Sequence, residues 1–183
     1  MSANSQKVAF IDRDGTLLEE VNFLSRVDDM VIFPFTSAAL SMLKKAGFRI
    51  VVVTNQSGIG RGLFTTEDMR SIHKKMDELM PEMIDMFHFC PHLPDAGCRC
   101  RKPNVGMIED AYREFEVDLA NSWMIGDKLL DIETGFNAGL RTALVKTGYG
   151  KRSVEHLDRI PDIIADDLLA AVMQIIGTDL RTS

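Results

Sequence analysis

Short, unbroken apolar runs alternate along this chain with longer stretches of helical period. Val8-Ala9-Phe10-Ile11 comes first, four apolar residues of which two are β-branched, the composition of a strand buried on both faces. Residues 17–35 then form a long connection of mixed charge and weak periodicity, a length at which loops often carry binding residues. Pro34 introduces a helix whose apolar face is Ala38, Ala39, Leu40, Met42 and Leu43, with Gly47 at its C-terminal cap. Residues 48–54 read as a second strand that runs into Thr-Asn-Gln-Ser and the glycines Gly58, Gly60 and Gly62. A helix is predicted from Thr65 or Thr66 to about Met80, with acids in its first turn and Pro81 beyond its end.

The second half repeats the alternation. Residues 86–90 are a predicted strand, and Met107, Ile108, Ala111, Tyr112 and Phe115 give residues 104–115 a helical spacing. Strands follow at 123–126, 141–145 and around Ile163-Ile164, with helices predicted over 131–138 and about 167–176. Strands separated by helices predict an α/β fold, a doubly wound parallel sheet with right-handed crossovers. With no composition break, residues 1–183 are expected to be a single domain.

Bulk composition narrows the partners. The chain is 45% hydrophobic and 26% charged, as globular proteins are, and its net charge of -6 argues against a general nucleic-acid partner. A phosphorylated small molecule stays open, because a local cluster of cations can override the global sign. Met1 to Lys7 is polar, and no segment approaches the roughly 18 apolar residues of a membrane span. A cytoplasmic monomer without a membrane partner is expected.

Chemistry gathers where strands end. Asp12 and Asp14 follow the first strand two residues apart, so their side chains point the same way; this is either an acidic turn or a shared cation site. Thr54 and Asn55 follow the second strand, Arg101 and Lys102 lie beyond the third, and Asp127 and Asp131 follow the fourth. Loops at the carboxyl edge of one sheet open into one crevice. Three acids there suit Mg²⁺, which keeps waters and a substrate phosphate among its ligands. A hydroxyl, an amide and two cations complement phosphate oxygens. The constellation therefore points to phosphoryl transfer.

Three cysteines and a histidine, Cys90, His92, Cys98 and Cys100, match a closed structural Zn²⁺ site, with Pro94 and Gly97 suited to the intervening turn. The alternative is three free cysteines beside a surface histidine. Cys100 directly precedes Arg101-Lys102, so zinc at about 90–100 is expected to fix that pair and to take no part in the chemical step. His73, His88 and His156 lack such company and read as structural or exposed.

Across nearly its whole length the sequence resembles phosphatases of the haloacid dehalogenase (HAD) superfamily. Asp12-x-Asp14-Gly15-Thr16, Val53-Thr54-Asn55-Gln56, Arg101-Lys102-Pro103 and Gly126-Asp127-x3-Asp131 are similar to its four motifs, in order. The resemblance implies a HAD-like Rossmannoid three-layer α/β/α fold with a parallel central sheet. No long insertion follows the first two motifs, so no large cap domain is expected. It also implies Asp12 as nucleophile, Asp14 as proton donor and acceptor, and Thr54 and Lys102 as stabilisers of the phosphoryl oxygens. Mg²⁺ would be held by Asp12, Asp127 and the backbone carbonyl of Asp14. Asp131 would orient Lys102 or a metal-bound water; its plainer reading is a first-turn acid at a helix N-terminus.

Within the superfamily, the cysteine loop resembles two groups, the D-glycero-D-manno-heptose 1,7-bisphosphate 7-phosphatases and the histidinol-phosphate phosphatases. Residues 54–62, Gly126-Asp127-Lys128 and Val145-Lys146-Thr147-Gly148 are similar to the heptose group's segments. That resemblance implies a small phosphorylated sugar as substrate, with Asn55, Gln56, Ser57, Arg61, Arg101 and Lys128 around it. Five residues between His92 and Cys98 are closer to the histidinol-phosphate group, and Glu20-Val21-Asn22-Phe23 matches the heptose pattern loosely. A zinc-stabilised phosphate-binding module without turnover is the reading from another class; the presence of both Asp12 and Asp14 argues against it.

Overall fold

The computed structural model describes residues 5–114 and 116–182, with side chains as far as residue 178. The buried runs form six strands: β1 (Val8–Ile11), β2 (Arg49–Asn55), β3 (Met86–Cys90), β4 (Trp123–Gly126), β5 (Arg141–Val145) and β6 (Ile163–Ala165). Every neighbouring pair is parallel, in the order β3-β2-β1-β4-β5-β6. The chain winds outward from β1 to β3, then resumes at β4 on the other side of β1. That reversal creates a switch point between β1 and β4, and the crevice outside their carboxyl ends is where such sheets hold ligands.

Strand alternation builds a layer on each face. Ala9, Ile11, Ile50, Val52 and Ile125 face α1 (Thr36–Lys45), α3 (Thr66–Leu79) and α7 (Leu168–Thr182) through Leu40, Leu43, Ile72, Met76, Val172 and Ile175. Val8, Phe10, Val51, Val53 and Met124 face α4 (Gly106–Ala111) through Met107, Ile108 and Ala111. On this second face α5 (Leu129–Asn137) approaches so closely that a side chain on Gly135 would strike Met124 and Thr142. The three-layer α/β/α arrangement is therefore present. Among the described residues no helix is long and apolar enough to cross a membrane.

Four differences from the sequence reading have local causes. The helix predicted over 104–115 is only Gly106–Ala111, because the chain must turn back so that Gln6 and Val117 can bridge and Asp118 can donate to the Gln6 carbonyl. Phe115 lies outside the described residues. α5 starts at Leu129, since the Asp131 carboxylate accepts the Lys128 N–H at 3.0 Å and so serves as its N-terminal cap. α7 continues past the expected end near 176, because Gly177 does not take the left-handed backbone of a C-terminal cap. Two short helices, α2 (Ser57–Gly60) and α6 (Gly150–Val154), are too brief and glycine-rich to show a period.

Residues 17–35 are a loop with its own anchors. Leu17, Leu18 and Leu24 are buried, Leu18 bridges Ile32, and Glu19 N–H donates to the Val31 carbonyl at 2.8 Å. Between β1 and α1, and between β2 and α3, the only helical pieces are a 3₁₀ turn at Val27–Asp29 and α2, so neither connection holds a cap-sized unit. His73 is buried and stacks on Phe87 at 4.4 Å; burial first, then Arg13, pushes it down to about 3. His88 is half-buried and His156 exposed.

Asp85, just before β3, joins three elements. Its carboxylate accepts the Ile50 N–H at 2.7 Å, Lys44 Nζ at 2.8 Å and Arg49 Nη1 at 2.9 Å. Burial would raise this carboxyl, but those donors hold it below the ordinary Asp range. Asp85→Ala is expected to lose about 1–3 kcal/mol in urea unfolding at neutral pH, chiefly the cost of leaving the buried Ile50 N–H unpaired. Because the folded-state value is depressed, the stabilisation is complete above the unfolded-state Asp value. It is lost as pH falls through the folded-state value, so the two proteins should converge in acid.

Candidate active site

The end of β1 places the first acid. Asp12 N–H donates to the Ile125 carbonyl at 2.9 Å, extending the β1–β4 ladder, so Asp12 sits at the switch point beside the turn that follows β4. Asp127 and Asp131 come from that turn and the first turn of α5. One carboxylate oxygen from each of Asp12, Asp127 and Asp131 lies within 4.8 Å of the others, and all three residues are buried.

Lys102 enters this cluster from the loop beyond β3. Its Nζ lies 2.6 Å from Asp12 Oδ1 and 2.6 Å from Asp131 Oδ1, and donates to the Val53 carbonyl at 2.8 Å. Asn55 holds the loop from both sides, accepting Lys102 N–H at 3.0 Å and donating to the Lys102 carbonyl at 3.2 Å. Even so, Asp12 Oδ2 and Asp127 Oδ1 are buried without a hydrogen-bond partner. Burial first, then the Asp12 charge, pushes Asp127 up to about 8. Burial likewise raises Asp131 against the pull of Lys102, whereas for Asp12 the two lysines outweigh burial and lower it. Orphaned carboxylate oxygens under such repulsion fit a hard divalent cation with oxygen ligands.

The backbone around Asp127 leaves no slack. Gly15 (φ +88) and Gly148 (φ +51) both press on its carboxylate, where a Cβ would collide with it. Tyr149 N–H donates to Asp127 Oδ2 at 2.7 Å, Ser153 Oγ to the Asp127 carbonyl at 2.8 Å, and Thr147 Oγ1 to the Gly15 carbonyl at 2.6 Å. The connection from β5 into α6 thus holds the fourth acidic turn against the first, a role that only the Thr147-Gly148 pattern hinted at.

Asp14 points to different partners. The fully buried Arg13 grips it with a fork, Nη2 to Oδ2 at 2.9 Å and Nε to Oδ1 at 3.1 Å. Gln56 Nε2 donates to Asp14 Oδ2 at 2.7 Å and to Thr54 Oγ1 at 2.9 Å, and Thr54 Oγ1 lies 3.5 Å from the same carboxylate. Arg13 escaped the sequence reading because it looks like a spacer between two acids.

The remaining candidates occupy the walls. Lys128 Nζ pairs with Glu20 Oε2 at 2.8 Å, 4.0 Å from Asp127 Oδ1 and 5.1 Å from the Tyr149 ring. Burial opposes the Lys128 charge, but Asp12, Asp127 and Glu20 outweigh it and raise the ammonium above its ordinary value. Asp14, Glu20, Phe23, Asn55, Ser57 and Lys128 are among the residues that line a cleft of about 110 Å³. Arg101 and Lys102 line another, of about 260 Å³, together with Pro94, Gly97, Cys98 and Leu130. Arg61 is exposed, its guanidinium 5.9 Å from the Phe23 ring centre. A groove of about 440 Å³ between α5 and α6 reaches Lys128 but is lined by none of the site's carboxylates.

Beside Lys102 the cysteine loop closes on itself. Cys90 Sγ lies 3.5 Å from His92 Nδ1 and 3.6 Å from Cys98 Sγ; Cys100 Sγ lies 3.3 Å from His92 Nδ1 and 3.5 Å from Cys98 Sγ. A tetrahedron with ligands about 2.0–2.3 Å from its centre has edges of about 3.3–3.8 Å, the spacing of a zinc site. Burial pushes the Cys90 thiol up to about 12. Gln56 N–H to the Cys90 carbonyl (2.7 Å) and Gly60 N–H to the Pro91 carbonyl (2.9 Å) dock this loop on α2.

Comparison with known proteins agrees with this geometry. The family model described as polynucleotide kinase 3 phosphatase matches residues 7–134, and the HAD-hydrolase-like model matches residues 99–171. A D-glycero-D-manno-heptose-1,7-bisphosphate 7-phosphatase from Chlorobaculum tepidum is 38% identical, covering 92% of this chain and 93% of that protein. The D-glycero-alpha-D-manno-heptose-1,7-bisphosphate 7-phosphatase of Photorhabdus laumondii is 40% identical, covering 81% and 87%. The crystal structure of D,D-heptose 1,7-bisphosphate phosphatase from B. bronchiseptica, complexed with magnesium and phosphate, superposes with a TM-score of 0.88 at 35% identity, covering 94% of this chain and 99% of that one. The chain belongs to the HAD-like phosphatases, as a close relative of the D-glycero-D-manno-heptose 1,7-bisphosphate 7-phosphatases.

Proposed function

We propose that this protein removes the 7-phosphate of D-glycero-D-manno-heptose 1,7-bisphosphate, with Mg²⁺, through a phosphoryl group carried on Asp12. The observation that carries the reading is a buried three-acid cluster with two orphaned oxygens beside Lys102, in a chain whose relatives of that activity match it over most of its length. An Asp12 oxygen attacks phosphorus in line, the phosphorus–oxygen bond to the sugar breaks, and Asp14 gives its proton to the departing oxygen. Asp14 then takes a proton from water as that water attacks phosphorus, the bond to Asp12 breaks, and inorganic phosphate leaves. Thr54 and Lys102 stand where they can balance charge on the phosphoryl oxygens.

Asp12, Asp127 and the Asp14 carbonyl would hold Mg²⁺, while Asp131 keeps Lys102 aimed at Asp12. Bound there, the ion supplies positive charge against the phosphoryl oxygens. Asn55 and Gln56 serve the substrate indirectly, by fixing Lys102 and Asp14, and Ser57 faces the cleft. Arg61, Arg101 and Lys128 are the cations available to the second phosphate. Histidinol phosphate is the competing substrate, favoured by the five-residue spacing between His92 and Cys98.

A phosphate-release panel of both heptose bisphosphate anomers, histidinol phosphate and fructose 1,6-bisphosphate tests the reading. A heptose bisphosphate should give the highest kcat/KM and Asp12→Asn should abolish release; preference for histidinol phosphate would overturn the assignment. Zinc held by Cys90, His92, Cys98 and Cys100 is proposed to act through the position of Arg101 and Lys102. Chelation is therefore expected to lower both the melting temperature and turnover, and full activity in protein shown to be zinc-free would contradict that role.

A further inference from the structure

Glu20 has no part in the steps above, yet it holds Lys128, a cation at the edge of the metal site. It stands in the loop after β1, fixed there by the Gly15 N–H to Leu18 carbonyl bond at 2.8 Å and the Glu19 N–H to Val31 carbonyl bond at 2.8 Å. Its Oε2 takes Lys128 Nζ at 2.8 Å, while the same ammonium lies 4.0 Å from Asp127 Oδ1. Asp127 Oδ1 is buried without a hydrogen-bond partner. Lys128 is therefore shared between two acids and bonded to the outer one.

Charge bookkeeping points the same way. Asp12, Asp14, Asp127, Asp131 and Glu20 face Arg13, Lys102 and Lys128, an excess of two negative charges that one divalent cation balances. With Glu20 neutral the excess falls to one. Lys128 would also have only Asp127 and Asp12 left to approach, and would close on the oxygens a cation needs.

We infer that Glu20 is a positioning residue that holds Lys128 off the Asp12–Asp127 oxygens and thereby sets the affinity of the site for Mg²⁺. This rests on the reading of those acids as the Mg²⁺ site. Glu20 needs no contact with the ion; it acts through Lys128 and through its own charge.

The test is Mg²⁺ titration into the full-length protein without substrate, by calorimetry and by the Mg²⁺-dependent rise in melting temperature. Glu20→Gln should weaken Mg²⁺ binding by about tenfold or more, given one charge removed close to a poorly solvated site. Glu20→Asp, which keeps the charge, should stay within a few-fold of wild type. Glu20→Gln combined with Lys128→Met restores the excess of two and removes the competing ammonium, so affinity should return close to wild type. The inference is overturned if Glu20→Gln binds Mg²⁺ as wild type does, if Glu20→Asp is equally weak, or if the double variant stays as weak as the single one. Absence of Mg²⁺ binding in the wild-type protein would bring down the reading of the site itself, whereas normal wild-type binding with an unaffected Glu20→Gln removes this inference alone.

Discussion

Buried negative charge in excess is the constraint on which the rest of the structure depends. Asp12, Asp127 and Asp131 sit together with almost no exposure, served by one buried ammonium. Burying unpaired charge costs far more than any single packing contact returns. Such a cluster persists only where the surrounding fold over-determines it and where a cation relieves it. Burial, and after it the Asp12 charge, push the Asp127 carboxyl well above the ordinary carboxylate range. Phosphoryl transfer uses the same feature, because charge on the phosphoryl group and on its counter-ions is what a site of this kind stabilises.

The fold supplies the over-determination. The β1–β4 switch point sets Asp12 beside Asp127, and Gly15 and Gly148 permit the two acidic turns to meet at backbone distance. Asn55 brackets the Lys102 backbone, and the cysteine loop grips the residues just before it. Gln56 connects Asp14 to Thr54 and, through its backbone N–H, to the Cys90 carbonyl. Side chains that a motif reading assigns to the substrate are thus engaged here in holding other site residues. Lys128 and Arg101 line different clefts, so the cations proposed for a second phosphate do not share one.

Strand identity was legible because a parallel sheet buried on both faces needs unbroken apolar runs, and Val8 to Ile11 or Ile50 to Val53 can be little else. The start of α3 was legible only as Thr65 or Thr66, from the acids that follow; the structure makes Thr65 the cap, with Asp68 completing a capping box. The length of α4 was not, since its end is set by the distant bridge between Gln6 and Val117 and by nothing in its own period. The site's acids were legible because they recur after strands. Glu20, Tyr149 and Ser153 were not, because each acts through a partner remote in sequence or through its backbone. Arg13 adds a second difficulty: its partner is its own neighbour Asp14, a pairing that strand alternation conceals.

The claim that Asp12 carries the phosphoryl group is open to direct observation. Asp14→Asn should slow release of the group from the enzyme, by about 10²- to 10⁴-fold for lost acid–base help. Acid quenching of that variant within its first turnover of labelled heptose bisphosphate, followed by digestion and mass spectrometry, locates the label. Phosphate on the peptide bearing Asp12, absent when Mg²⁺ is omitted, is the expected result. Label on another residue, or turnover with no protein-bound phosphate at any time, would contradict it.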